Sequence, residues 1–125
     1  MTLTGLATAC ATTSWASAPR PVRERVVDLV ADCVAVSALG SGRAELRRLV
    51  TAQQATTSAG TATVVGSPHG WPAVSAMFLN GAAVAADQLQ DGHRLARGHP
   101  ASHVVPAVLA LGEEHGCSGE DTLSA

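Results

Sequence analysis

The densest group of ionisable side chains in this 125-residue chain lies between residues 87 and 100 and includes Asp91, His93 and His99. An imidazole, with an unperturbed pKa of about 6.5, both gives and takes protons near neutrality, and its cation binds carboxylates. His99 stands in a Gly-His-Pro turn near Asp91, so it is a candidate for general acid–base chemistry on a small acidic molecule. The plainer interpretation, a surface or helix-capping histidine, stays open on spacing alone.

A metal site is the second interpretation of this segment, because imidazoles and a carboxylate are usual zinc ligands. His93, His99, His103 and Asp91 lie within 13 residues. However, Pro100 biases His99 away from helical dihedral angles, so His99 and His103 are not expected to share a helix face. The sequence therefore predicts no metal site.

Several other chemistries are excluded because the sequence motifs that they require are absent or incomplete. The chain has no lysine, so it contains neither a phosphate-binding G-x-x-x-x-G-K-[ST] loop nor a Schiff-base lysine. Gly40–Gly42 lacks the third glycine of a dinucleotide-binding turn and is interpreted as a helix C-cap. Ser102 beside His103 forms no nucleophile elbow.

The charge balance argues against nucleic acid as a partner. The formal net charge is −2, with 8 basic residues against 10 acidic ones, whereas a nucleic-acid footprint needs several cations on one face. Arg43, Arg47 and Arg48 form a small cluster, which is interpreted as a solvated helix face rather than an anion site.

The elements that must position these residues are predicted to be helices. Apolar residues at three- and four-residue spacing predict a first helix from Pro19 and Pro21 to Gly40. Further helices are predicted at Arg43–Gln54, Pro72–Ala86 and Pro106–Glu114, with Pro106 in a first turn and another helix starting at Ser118. We therefore expect an all-α fold of about five helices with one short extended segment near 61–65.

The apolar residues are mainly alanine, valine and leucine, and the aromatic residues are Trp15, Trp71 and Phe78. Such a core suits helices that pack closely through small side chains. Cys10, Cys33 and Cys117 form no C-x-x-C pair, so we predict a reduced, cytoplasmic setting without disulfides. No signal peptide or membrane span is expected, since the longest apolar stretch, Val26–Leu39, covers about 14 residues of the ~20 required.

Five segments follow one another in a recognisable order: Phe78–Ala83, Gln88–Arg94, Gly98–Ser102, Val105–Glu114 and Gly116–Gly119. In this order they resemble the MmgE/PrpD family. In that family an A-x-x-N-G-x-x-x-H helix leads to an acidic stretch, a His-Pro turn, a P-A-A-L-A-L-A-E helix and a G-x-S-G end. Upstream, Leu29–Gly40 and Thr61–Gly66 are similar to a helix and a strand of the family.

The resemblance implies a lyase or isomerase that acts on small di- or tricarboxylates without a metal or an organic cofactor. The family includes 2-methylcitrate dehydratase, cis-aconitate decarboxylase and iminodisuccinate epimerase, and its members are typically dimers. They have a large all-helical domain and a smaller α/β domain, so residues 1–125 are expected to be part of the helical domain. We expect a homodimer, or association with the remainder of the family fold.

Site residues follow from the same resemblance. His99 matches the His-Pro histidine of the family's active site, and Asp91 matches the last acid of its acidic stretch, so both are predicted to be catalytic. Gln88, Gly92 and His93 are predicted to bind substrate. Gln88 and Gln90 replace two acids of the family pattern, and an amide can hydrogen-bond a carboxylate but cannot act as a base.

The family's active-site lysines lie downstream of the segments present in this chain. Together with the two acid-to-amide changes, this supports a different interpretation. In it, the chain is a catalytically inactive helical module that self-associates or docks onto a partner chain through apolar residues such as Val104, Val108 and Leu111.

Overall fold

A computed structural model describes residues 2–95 and 97–125 of the chain. In this part of the chain there are six helices and one two-stranded antiparallel sheet. The helices are α1 (Leu3–Thr12), α2 (Arg20–Ser41), α3 (Ala44–Gln54), α4 (Ala73–Ala85), α5 (Pro100–His115) and α6 (Gly119–Ser124), and the strands are β1 (Ala62–Thr63) and β2 (Gly70–Trp71). The mainly helical fold confirms the predicted class.

Helix α4 is the centre of the packing, because α2, α3 and α5 all contact it. One core cluster joins α4 and α5 to the small sheet, and its buried members are Ala62, Val64, Trp71, Ala73, Ala76, Leu79 and Ala110. A second cluster of Cys33, Val36 and Val84 lies between α2 and α4. Most of these side chains are small, as the composition predicts.

The two-stranded sheet is held to the helices by polar side chains. Asn80 on α4 accepts a hydrogen bond from Val65 N (2.9 Å) and donates one to the Thr63 carbonyl (2.8 Å). Glu113 on α5 accepts from both Thr63 N (2.5 Å) and Thr63 Oγ1 (2.8 Å). Glu114 accepts from Ala73 N (3.0 Å) at the start of α4, where helix N–H groups lack intrahelical partners.

The predicted helix starts and ends are confirmed at several points. Pro21 stands in the first turn of α2, and Gly116 ends α5 in a left-handed conformation with φ 63°. Ser118 caps α6, with its Oγ accepting from Asp121 N at 3.1 Å. No described helix is long and apolar enough to cross a membrane.

The predicted start of α5 is wrong. Helix α5 begins at Pro100, and Pro106 lies inside it rather than in its first turn. An internal proline removes one backbone hydrogen bond, but Ala101 and Ser102, which precede it, are buried. Packing of this first part of α5 against the other helices offsets the lost bond. The helix α1 and the strand β2 were not predicted.

Gly40 allows α2 and α4 to approach each other. A Cβ atom added there would lie well inside van der Waals contact with the Ala83 carbonyl group, which belongs to the backbone of α4. The backbone cannot move aside as a flexible side chain can, so a larger residue must separate the two helices.

We predict that Gly40→Ala lowers the free energy of unfolding by about 3 kcal/mol, because overpacking at a backbone contact strains both helices. Gly119→Ala is the matched control, since a Cβ there meets nothing within 4 Å. Urea unfolding followed by circular dichroism measures both variants. Equal midpoints for Gly40→Ala and the unmodified chain would contradict the proposed close contact.

Candidate acid–base site

The candidate site lies in the connection between α4 and α5. After α4 ends, Gln88 takes up a left-handed conformation with φ 56°, which turns the chain out of the helix. Its side-chain Nε2 donates to the Ala85 carbonyl at 2.9 Å. The preceding Asp87 accepts a hydrogen bond from Arg43, at the start of α3, so both ends of this turn are fixed to helices.

An isolated antiparallel bridge between His93 and Gly98 closes the second half of the connection. His93 N donates to the Gly98 carbonyl (2.9 Å), and Arg97 N donates to the His93 carbonyl (2.8 Å). Arg97 has φ 51°, which permits the reversal. Because the two strands of the bridge run in opposite directions, the residues before His93 lie beside those after Gly98.

The bridge brings Asp91 and His99 together. Nδ1 of His99 lies 2.5 Å from the backbone carbonyl oxygen of Asp91. A carbonyl oxygen only accepts, so Nδ1 carries the proton and donates it, and Nε2 then holds the lone pair of the neutral ring. Nε2 forms no hydrogen bond within residues 2–95 and 97–125, and His99 is exposed.

Ser102 holds His99 from the helix side. The buried Ser102 hydroxyl donates to the His99 carbonyl at 2.7 Å. His99 itself is the N-cap residue of α5 with φ −120° and ψ 70°, so it does not share a helix face with His103, as its position before a proline predicts. The sequence excludes Ser102 as a nucleophile but does not indicate this positioning contact.

A cavity of about 520 Å³ opens beside this segment, between α2, α5 and α6. We call it the α2–α5 groove. Asp91, Gly92 and His93 line it, together with Arg25 and mainly aliphatic residues: Val26, Leu29, Val30, Val104, Val105, Val108, Leu109 and Leu123. Its volume is in the usual range of small-molecule sites, which is about 300–1,000 Å³.

The structure thus places three of the five predicted site residues along one groove and two outside its lining. His99 and Gln88 do not line the groove, although His99 is joined to it through the carbonyl of Asp91. The Gln88 amide donates to the end of α4. Arg25 was not predicted as a site residue, although it lies three residues after Val22 and four before Leu29, on the apolar stripe of α2.

Among the residues that the structure describes, three side-chain oxygens of this segment are buried without a hydrogen-bond partner: Oδ2 of Asp87, Oε1 of Gln90 and Oδ1 of Asp91. Buried polar atoms usually have a hydrogen-bond partner. The polar side chains of this connection are therefore less completely hydrogen-bonded than those that hold the small sheet to the helices. Within the described ranges, no group of three or more histidine, cysteine, aspartate or glutamate residues could hold a metal ion.

The three arginines of the cluster at α3 form hydrogen bonds or ion pairs within the chain. Arg43 pairs with Asp87, Arg47 donates to the Gly42 carbonyl at 2.5 Å, and Arg48 lies 3.4 Å from Glu45. These contacts agree with the interpretation of a helix face rather than an anion site.

The sequence profile of the MmgE/PrpD N-terminal domain matches residues 4–125, nearly the whole chain. The chain belongs to the MmgE/PrpD family. Neither the curated proteins nor the solved structures include a significant match to it. Membership agrees with the mainly helical fold.

Cys33 packs behind the site, with its Sγ 3.9 Å from the Ala101 carbonyl. Burial raises the pKa of its thiol to about 11, and the carboxylates of Asp32 and Asp91 add to the effect. Cys10 and Cys117 are exposed. We therefore expect the Cys33 thiol to be less reactive than the other two.

We predict that a thiol reagent at pH 8 modifies Cys10 and Cys117 at least about 100-fold faster than Cys33, because only the thiolate reacts. Mass spectrometry of timed samples measures the three rates. In urea all three should react alike, which controls for chemical differences between the sites. Equal rates in the native chain would contradict the burial of Cys33.

Proposed function

We propose that this chain carries the acid–base residues of a MmgE/PrpD-type lyase or isomerase acting on small di- or tricarboxylates. The observation that carries the proposal is the contact between His99 and Asp91, since it leaves the basic Nε2 of the imidazole exposed. Family membership supports the same assignment. No metal and no organic cofactor enter the proposed chemistry.

In the proposed reaction, Nε2 of His99 takes a proton from the carbon next to a substrate carboxylate. For a dehydration, the electron pair of the broken C–H bond forms the double bond as the C–O bond at the neighbouring carbon breaks. The imidazolium then returns its proton to the departing hydroxide, which leaves as water. Donation from Nδ1 to the Asp91 carbonyl stabilises the imidazolium, since the hydrogen bond strengthens when the ring is charged.

Substrate binding requires cations, because a di- or tricarboxylate carries two or three negative charges. Arg94 and Arg97 are exposed in the same connection as His99, and His93 lies between Asp91 and these arginines in the sequence. In this proposal His93 and the Gly92 backbone contact the substrate from the groove side. Gln88, whose Nε2 donates one hydrogen bond to the Ala85 carbonyl, donates its second amide N–H to a substrate carboxylate at the edge of the site. The free cysteines support a reducing, cytoplasmic setting.

A second candidate is a catalytically inactive helical module that binds another polypeptide. The exposure of large apolar side chains favours it: Val104 on α5 is 54% exposed, and Leu111 is 42% exposed. Gln88 and Gln90 also stand where the family pattern has acids. In this alternative, the α2–α5 groove is a docking surface rather than a substrate site.

The test of the catalytic proposal uses the full chain in D₂O with a panel of citrate, cis-aconitate, malate and succinate. Proton NMR detects deuterium uptake at the carbon next to a carboxylate and any loss of water or carbon dioxide. We expect uptake into at least one compound, and we expect His99→Ala to slow it by about 10²–10⁴-fold because the base is removed.

His69→Ala is the matched control, since His69 is exposed in a different part of the chain. It should leave the rate unchanged. Circular dichroism of each variant verifies that the helices remain. If the unmodified chain catalyses no exchange, or if His99→Ala exchanges at the same rate, the catalytic proposal fails and the helical-module alternative is favoured.

A further inference from the structure

The α2–α5 groove has a polar end beside the acid–base site and aliphatic walls beyond it. Asp91, Gly92 and His93 line it where the connection meets the start of α5. The remaining walls are mainly apolar side chains of α2, α5 and α6, and they include Val104 and Val108. The substrate contacts of the proposed reaction use only the polar end, so the aliphatic part of the groove has no role in that reaction.

Arg25 is a cation of this groove that lies at a distance from its polar end. Cys33 marks the position of the polar end on α2, because its Sγ lies 3.9 Å from the carbonyl of Ala101 in the first turn of α5. Arg25 stands eight residues before Cys33 in the same unbroken helix. At the rise of an α-helix, this separation corresponds to about 12 Å along the axis of α2.

The Arg25 guanidinium has no partner in the part of the chain that the structure describes. It forms neither a hydrogen bond nor an ion pair there, whereas Arg20 on the same helix is paired with Glu24. Arg25 and Asp91 both line the groove and form no ion pair with each other, which agrees with positions at its two ends. Small-molecule sites typically combine apolar walls with a few polar groups that fix the orientation of the ligand.

We propose that the substrate of this site carries an aliphatic chain that lies in the groove and ends in a second carboxylate bound by Arg25. The inference rests on the proposed function for the first carboxylate, which stays at the connection beside His93 and His99. The methylene groups between the two carboxylates contact Val104 and Val108 and are removed from water, which is favourable. Arginine suits the far carboxylate, because its planar guanidinium pairs with both oxygens. The ligand is therefore a long-chain dicarboxylate.

The test is isothermal titration calorimetry of the full chain with succinate, suberate and sebacate, and with decanoate, a monocarboxylate as long as sebacate. We expect the affinity of the dicarboxylates to rise with chain length, by up to about fourfold for each methylene buried. Sebacate should bind at least about tenfold more tightly than decanoate, because decanoate forms a charged hydrogen bond at only one end. Equal affinities for succinate and sebacate, or for sebacate and decanoate, would overturn the proposal.

Variants locate the binding in the groove. Arg25→Gln should weaken sebacate binding at least about tenfold and remove its advantage over decanoate. Arg48→Gln is the matched control, because Arg48 is exposed on α3 outside the groove. Val104→Asp should also weaken sebacate binding by placing an anion on the aliphatic wall, whereas Val74→Asp, at an exposed position of α4 outside the groove, should not. Sebacate binding that Arg25→Gln leaves unchanged would overturn the proposal.

These titrations involve no turnover, so they are separate from the deuterium exchange that tests the proposed function. Circular dichroism verifies that each variant keeps its helices. Deuterium uptake into succinate by a chain that shows no preference for sebacate would contradict this inference alone. Sebacate binding that depends on Arg25, without exchange into any compound, would support the long-chain ligand and contradict the catalytic role.

Discussion

The close approach of α2 to α4 is the constraint on which the rest of this structure depends. With few aromatic residues, the core gains its density from small side chains that let backbones come near each other, as Gly40 does against the Ala83 carbonyl. Cys33 and Val36 then reach Val84 across the same pair of helices. Helix α5 packs on α4 as well, so the connection between α4 and α5 joins two helices of the same core.

The polar side chains around this helical core fall into two groups, which differ in how completely they are hydrogen-bonded. The small sheet and the start of α4 are paired through Asn80, Glu113 and Glu114, so they act as a fixed support. The connection from residue 87 to residue 99 is held by a bridge and by Ser102, yet it retains buried oxygens that have no partner in the described part of the chain. Local polar groups that are left unpaired are more common at functional sites than in structural caps. This difference supports the proposal of an acid–base site in the connection, whereas Asn80 of α4 belongs to the support of the sheet.

The periodicity and composition of the sequence predicted the fold class and most of the helices. The helices α2, α3 and α4 follow from apolar spacing, and the nearness of Asp91 to His99 follows from their few intervening residues. Helix α1 has no buried residue, so no apolar pattern could indicate it. The early start of α5 depends on packing of its first turns, which offsets the backbone hydrogen bond lost at Pro106. That His99 meets a backbone carbonyl rather than the Asp91 carboxylate depends on the bridge at His93, which no residue pattern specifies. Arg25 could not be assigned to the groove because its position follows from how α2 packs on α5.

The folded connection holds His99 with its proton on Nδ1 and its lone pair on Nε2, and the proposed acid–base role depends on this tautomer. Long-range proton–nitrogen NMR of the labelled chain, recorded where the imidazole is neutral, measures it directly. We predict the Nδ1–H form for His99 and the ordinary Nε2–H form for the exposed His69. An Nε2–H form at His99, or a mixture like that of a free imidazole, would contradict the contact with Asp91 and the acid–base role built on it.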